Sequence, residues 1–170
     1  MENKEQCLVL IKPDGIQKGL VGEVISELSK TGLEIIGIKI IEVSKEHAEK
    51  HYASLKERKP QIFEETIKYI TGHYHVKKVI AIVYSGDDAI NKIRDAAGKT
   101  NPEEAHPTSI RGKYGRIHSK TGVFENVMHA SDSKENAEAE IKLWFSPSEL
   151  IQNIYPTNEK EATTNRKVWK

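Results

Sequence analysis

Residues 126–133 read Asn126-Val127-Met128-His129-Ala130-Ser131-Asp132-Ser133. One histidine follows a short apolar pair and stands just before a helix start. Ser131, Asp132 and Ser133 are all N-cap residue types, and an apolar-periodic segment follows at Ala137, Ile141 and Trp144. Backbone N–H groups at a helix N-terminus attract an anion. Glu140, further along the same helix, is placed to accept a hydrogen bond from one ring nitrogen of His129. That bond would fix the tautomer and leave the other nitrogen as a nucleophile. A neutral imidazole facing a phosphate is the arrangement from which phosphohistidine forms. Taken alone, the octet is also what a helix-capping segment with a surface histidine looks like.

Five scattered positions offer a grip for phosphate. Lys12 ends the first apolar run in Ile11-Lys12-Pro13-Asp14-Gly15 and meets a phosphate as a point charge. Arg94 lies on a helix, and Thr100 follows in Gly98-Lys99-Thr100-Asn101-Pro102. Arg111, in Ser109-Ile110-Arg111-Gly112, offers a bidentate fork beside a glycine that permits close backbone approach. Tyr52 adds a hydroxyl from the helix after the second strand.

The elements that must position these groups follow from the apolar pattern. Residues 7–11 read as a buried strand stopped by Pro13-Asp14-Gly15. Val21, Val24, Ile25 and Leu28 fall on one face of a helix closed by Gly32. Residues 33–43 form a second strand, whose parity slips at Ile35-Ile36 and at Ile40-Ile41 fit a bulge or two-sided burial. A helix over 45–55, a second over 60–71, a strand over 76–84 and a helix over 87–97 come next. Residues 99–125 show little periodicity, and so long a loop in a compact domain is often functional. Residues 126–129 serve as the fourth strand, and a helix over 134–145 follows. The expected class is α+β: a ferredoxin-like βαββαβ core with an antiparallel four-stranded sheet, an inserted helix pair, a long loop, and a C-terminal helix and arm. The 170 residues read as a single domain, with its core at about 5–150 and an arm at 151–170 in which Trp169 is expected to dock.

Composition excludes several classes of function. A formal charge of +1 gives no bulk attraction to nucleic acid or membrane. The lone Cys7 rules out an intrachain disulfide framework or cysteine-zinc spacing. The polar start carries no signal-peptide core, and the apolar runs are too short to span a bilayer. A cytoplasmic setting is expected.

Taken in order, residues 11–15, 98–102, 110–112 and 126–133 resemble the motifs of the nucleoside diphosphate kinase family, and the resemblance covers about 7–150. It implies a ping-pong transfer of a γ-phosphate through phosphorylated His129, with Glu140 as the orienting partner. Lys12, Tyr52, Arg94, Thr100 and Arg111 would hold phosphates, Asn126 and Lys12 would meet the sugar hydroxyls, and Ser131 would lie beside the histidine. Mg2+ would ride on the nucleotide phosphates with no direct protein ligand, and Asp132 would either face away or reach it through water. The implied partners are nucleoside di- and triphosphates such as ATP and GTP, and further copies of the chain in a homo-oligomer.

The chain also departs from the family pattern. The base-stacking phenylalanine that follows a proline is replaced by Gln61-Ile62-Phe63, so Ile62 and Phe63 are the candidate base covers. Lys113 stands where aspartate is common, Glu125 where arginine is common, Ser109 for threonine and Ala130 for glycine. Residues 115–122 read as an insert. His47 and His51 share a helix face, and His73 and His75 flank Tyr74, yet His-Glu-x-x-His is absent and no third ligand is evident, so no metal role is assigned. The competing reading is a nucleotide-binding regulatory protein of the same fold with little turnover.

Overall fold

The computed structural model describes residues 4–161. Its sheet has the order β2-β3-β1-β6, antiparallel throughout. These strands are β1 (Lys4–Ile11), β2 (Glu34–Ile41), β3 (Val79–Asp87) and β6 (Met128–Ala130). The central strand β1 is buried on both faces, which explains its unbroken apolar run. Cys7, Val9 and Ile11 face a cluster with Val24 and Leu28 of helix α2 (Val21–Ser29) and Ile90 and Ile93 of α6 (Ala89–Ala97). Leu8 and Leu10 face the opposite cluster, with Phe63 and Ile67 of α5 (Pro60–Ile70) and Ile141 and Trp144 of α8 (Lys134–Trp144). The βαββαβ core is therefore β1-α2-β2-β3-α6-β6.

Three expectations change. Pro13-Asp14-Gly15 does more than stop a strand: Pro13 opens a short helix α1 (Pro13–Gln17), where its missing N–H costs nothing. The helix expected over 45–55 breaks at Tyr52 into α3 (Lys45–His51) and α4 (Ala53–Arg58), so three helices replace the inserted pair. The long loop is not structureless. It holds α7 (Ile110–Tyr114), capped by Ser109 Oγ accepting from Gly112 N at 3.2 Å, and a hairpin of β4 (Arg116–Ile117) with β5 (Phe124–Glu125). The insert forms one strand and the turn of that hairpin.

In β2 the register shifts between Ile35 and Gly37, as the first parity slip implied. The second slip has another cause. Pairing continues evenly through Ile40 and Ile41, and Ile38 and Ile40 simply lie exposed on the sheet's outer strand. A Cβ at Gly37 would approach Leu150 Cδ2 to 2.5 Å, so glycine there admits the returning chain, whose Ile151 N donates to Ile36 O at 3.0 Å. The arm is without regular structure over 155–161, where Tyr155 packs on the α8 side; Trp169 lies outside the described residues.

Candidate active site

His129 occupies the middle of β6, opposite Leu10 of β1. The helix that follows is capped by Ser133, whose Oγ accepts from Asn136 N at 3.1 Å. His129 Nε2 lies 3.0 Å from Glu140 Oε1, with the side chains 21% and 15% exposed. Nδ1 has no protein partner among the described residues. Glu140 Oε2 accepts from Ser131 Oγ at 2.6 Å, and Ser131 Oγ accepts in turn from Leu8 N at 3.1 Å. Ser131 is wholly buried, so it anchors the carboxylate to the central strand and is not presented to nucleotide. Burial pushes the Glu140 carboxyl up, but His129 and the other neighbours outweigh it and the net shift is downward. The glutamate is thereby held charged beside the imidazole.

Lys12 comes from the end of β1 and is nearly buried. Its Nζ lies 3.4 Å from Phe124 O and 4.9 Å from the Tyr69 ring centre. Burial pushes the ammonium down to about 8, against the pull of Asp14. Arg111 is also buried. It donates from Nη1 to Gly98 O at 2.7 Å and from Nη2 to Met128 O at 3.1 Å, while Nε is left without a partner. Burial first, and then neighbouring Arg94, push Arg111 down to about 10. Several cations crowded into a partly desolvated space form a site suited to an anion.

Asn126 Nδ2 donates to Thr100 O at 2.6 Å, tying the motif strand to the loop, and Asn126 Oδ1 is buried and unpaired. Thr100 itself is exposed. Burial, and then the charge of Glu140, push the Tyr52 hydroxyl up against the opposing pull of Arg111, so it stays protonated as a donor. The sequence candidates His129, Glu140, Lys12, Tyr52, Arg94, Thr100, Arg111 and Asn126 thus fall into one neighbourhood.

Other candidates fall elsewhere. Phe63 is 3% exposed in the core, so its ring cannot cover a base without leaving that core, whereas Ile62 is 38% exposed. Asp132 is exposed and accepts from Asn136 Nδ2 at 2.6 Å. His47 packs against Trp144, His75 lies 3.0 Å from Glu125, and His73 stands edge-on to Tyr74. Glu125 is buried between His75 and Arg116, the latter supplied by the insert. Lys113 pairs with Glu27 at 2.9 Å. Sequence reasoning assigned no role in the site to Asp14, to His51, whose ring lies 4.5 Å from that of His129, or to Trp144.

Buried cations gathered near a histidine with one open ring nitrogen are an arrangement suited to phosphoryl transfer. The chain belongs to the nucleoside diphosphate kinase family, whose members are phosphotransferases: the family model matches residues 5–150. It is 46% identical over 156 residues to the nucleoside diphosphate kinase of Pyrococcus abyssi, covering 92% of each chain. It is 43% identical over 157 residues to that of Staphylococcus carnosus, covering 92% of this chain and 96% of the relative. Among solved structures, the Borrelia burgdorferi nucleoside-diphosphate kinase, a transition-state mimic with bound vanadate and ADP, matches with a TM-score of 0.79 and 30% identity, covering 89% of this chain and 93% of that one. The Aquifex aeolicus enzyme matches with a TM-score of 0.76 and 33% identity, covering 87% and 99%. No helix among the described residues is long and apolar enough to cross a membrane.

Proposed function

We propose that this nucleoside diphosphate kinase works through His129 as a phosphorylated intermediate. The observation that carries the reading is the 3.0 Å approach of His129 Nε2 to Glu140 Oε1, with Nδ1 left open. With the proton on Nε2, which lies 3.0 Å from Glu140 Oε1, the Nδ1 lone pair attacks the γ-phosphorus of a nucleoside triphosphate. The bond to the β-phosphate bridging oxygen breaks, and the diphosphate leaves with that electron pair. In the second half, a β-phosphate oxygen of another nucleoside diphosphate attacks the phosphorus, and the electron pair returns to Nδ1. The transition state is loose, so the protein contributes mainly position and charge. Lys12, Arg94 and Arg111 carry the charge, Tyr52 and Thr100 donate hydroxyls, and Asn126 with Lys12 faces the sugar.

Magnesium fits as a passenger on the nucleotide. Asp14 is turned to a backbone amide, Glu125 to Arg116 and His75, and Glu140 to His129 and Ser131. Bound to the phosphate oxygens, Mg2+ would neutralise charge there; Asp132, exposed and facing Asn136, would reach it only through water. The cytoplasmic assignment rests on the balanced charge and on a single, buried, unpaired cysteine. Homo-oligomer formation is supported by Ile35, Ile38 and Ile40, exposed together on the outer strand β2. Light scattering over a range of concentrations tests it.

The test of the reaction is incubation with γ-labelled ATP. An acid-labile, base-stable phosphoprotein that discharges to added diphosphate is expected. Nucleotide binding without label transfer would favour the regulatory reading instead.

A further inference from the structure

His51, His129 and Glu140 each present a ligating atom, and these atoms lie within 4.8 Å of one another. Two histidines and a glutamate form a donor set that zinc accepts. The Nε2 atoms of both histidines are buried and lack a well-directed hydrogen bond; the approach of His129 Nε2 to Glu140 is close but off-line. Tetrahedral zinc, at about 2.0–2.1 Å from nitrogen, needs ligands roughly 3.4 Å apart; His129 and Glu140 already meet at 3.0 Å, and no separation in the set exceeds 4.8 Å, so small side-chain shifts would complete the site. Partial exposure of His129 and Glu140 gives an entry path.

One contact opposes the metal. Trp144 Nε1 lies 3.1 Å from His51 Nδ1. An indole N–H only donates, so His51 Nδ1 must be the acceptor. A neutral imidazole has one lone pair, and here the indole takes it while the proton sits on Nε2. Ligation through Nε2 would move that proton to Nδ1 and set two buried donors face to face. Ligation through Nδ1 would break the indole bond. The indole bond itself requires a bare Nδ1, so the ring is the Nε2-protonated tautomer, and that tautomer closes the site.

We propose that His51, His129 and Glu140 form a latent site for a zinc-like divalent cation, and that the Trp144 indole holds it shut by fixing which His51 nitrogen carries the proton. The device guards the nucleophile, since a metal on His129 Nε2 would displace Glu140 from its orienting role. The inference concerns metal affinity of the nucleotide-free protein and stands apart from turnover.

The test compares wild type, Trp144→Phe, and Trp144→Phe with His51→Gln, all free of nucleotide. Zn2+ is titrated calorimetrically, and Co2+ is followed by its visible absorption. Zn2+ affinity is expected to rise at least tenfold in Trp144→Phe, with a tetrahedral Co2+ spectrum, and to return to the wild-type level in the double variant. Equal affinity in wild type and Trp144→Phe overturns the proposal, as does a double variant that binds as tightly as the single. Nitrogen NMR of the wild-type imidazoles reads the lock without any substitution. His51 is expected with a bare Nδ1 and a protonated Nε2, and the reverse assignment overturns the proposal even if Trp144→Phe does not fold.

Discussion

Asp14 Oδ2 accepts a hydrogen bond from Val127 N at 3.1 Å, across 113 positions of the chain. Val127 is a β-branched residue at φ 72, a conformation such residues rarely adopt. Lys12 N donates to Val127 O at 2.8 Å, so both backbone groups of this strained residue are held by the motif that bears Lys12. The strain sets the direction in which the chain leaves Asn126 and enters His129.

Removing this hold should loosen the whole site. Asp14→Ala is expected to cost about 1–3 kcal/mol of stability, the penalty for an unsatisfied buried amide, and to lower kcat. Asp14→Asn keeps an acceptor and should recover most of the stability. Chemical denaturation together with steady-state kinetics distinguishes the two, and equal loss in both variants would refute the hydrogen-bond account.

His129→Gly should lower transfer by roughly 10⁴-fold or more while ADP binding largely survives, because the nucleophile lies apart from the cationic grip. Calorimetry with ADP and single-turnover phosphorylation provide the check. Near-normal turnover would discard the mechanism.

Glu140→Gln and Ser131→Ala should act alike, since Ser131 reaches the imidazole only through Glu140. A loss of about 10–100-fold is expected, as for partners that orient a reactive histidine. Either variant proving as inactive as His129→Gly while still folded contradicts this ranking.

The lysine makes binding depend on pH. Lys12 titrates near 8 in the free protein, below its ordinary 10.5, so its charge is lost as pH rises through 8. ADP affinity should fall above that pH, and binding there should take up a proton. The sign for stability is opposite. Between pH 8 and 10.5 the unfolded chain holds the extra proton, so this group's contribution to stability improves as pH rises. Lys12→Arg should flatten the binding profile between pH 7.5 and 10; an unchanged slope would assign it to another group.

Base selectivity should be broad. With Phe63 in the core, Ile62 is the exposed member of the candidate pair, and rejecting a wrong base strongly needs polar groups that it would leave unpaired. The kcat/KM values for ADP, GDP, CDP, UDP and dTDP should span about two decades or less. Ile62→Ala should raise KM modestly, whereas Phe63→Ala should cost about 3–5 kcal/mol of stability. A preference beyond about a thousandfold for one base would mean that its polar edges are read.

The catalytic motif and the four-stranded core were legible in the sequence because their signals are local: an apolar run, a helical stripe, a cap. The break at Tyr52 was not, since residues 45–55 keep a helical pattern and the turn is set by what surrounds the tyrosine. Pro13 carried a helix-start signal that reads equally well as a strand stop. His51 looked like half of a local pair with His47, but its partners, His129, Glu140 and Trp144, lie far along the chain. Phe63 shares the inner face of its helix with Ile67 and Ile70 by spacing, and its packing in the core agrees; Ile62, placed on that face by the same reading, is instead exposed.

The central strand takes its last neighbour late. Leu8 and Ser131 meet across 123 positions, and β6 comes later in the chain than β3, which pairs with the other side of β1. During synthesis on the ribosome, the emerging chain therefore carries β1 with one ladder unfilled until the segment bearing His129 is made. Bare ladders of this kind invite mispairing with other chains. His129 arrives on the same few residues that cover that edge, so a truncated product that cannot close its sheet also lacks the histidine.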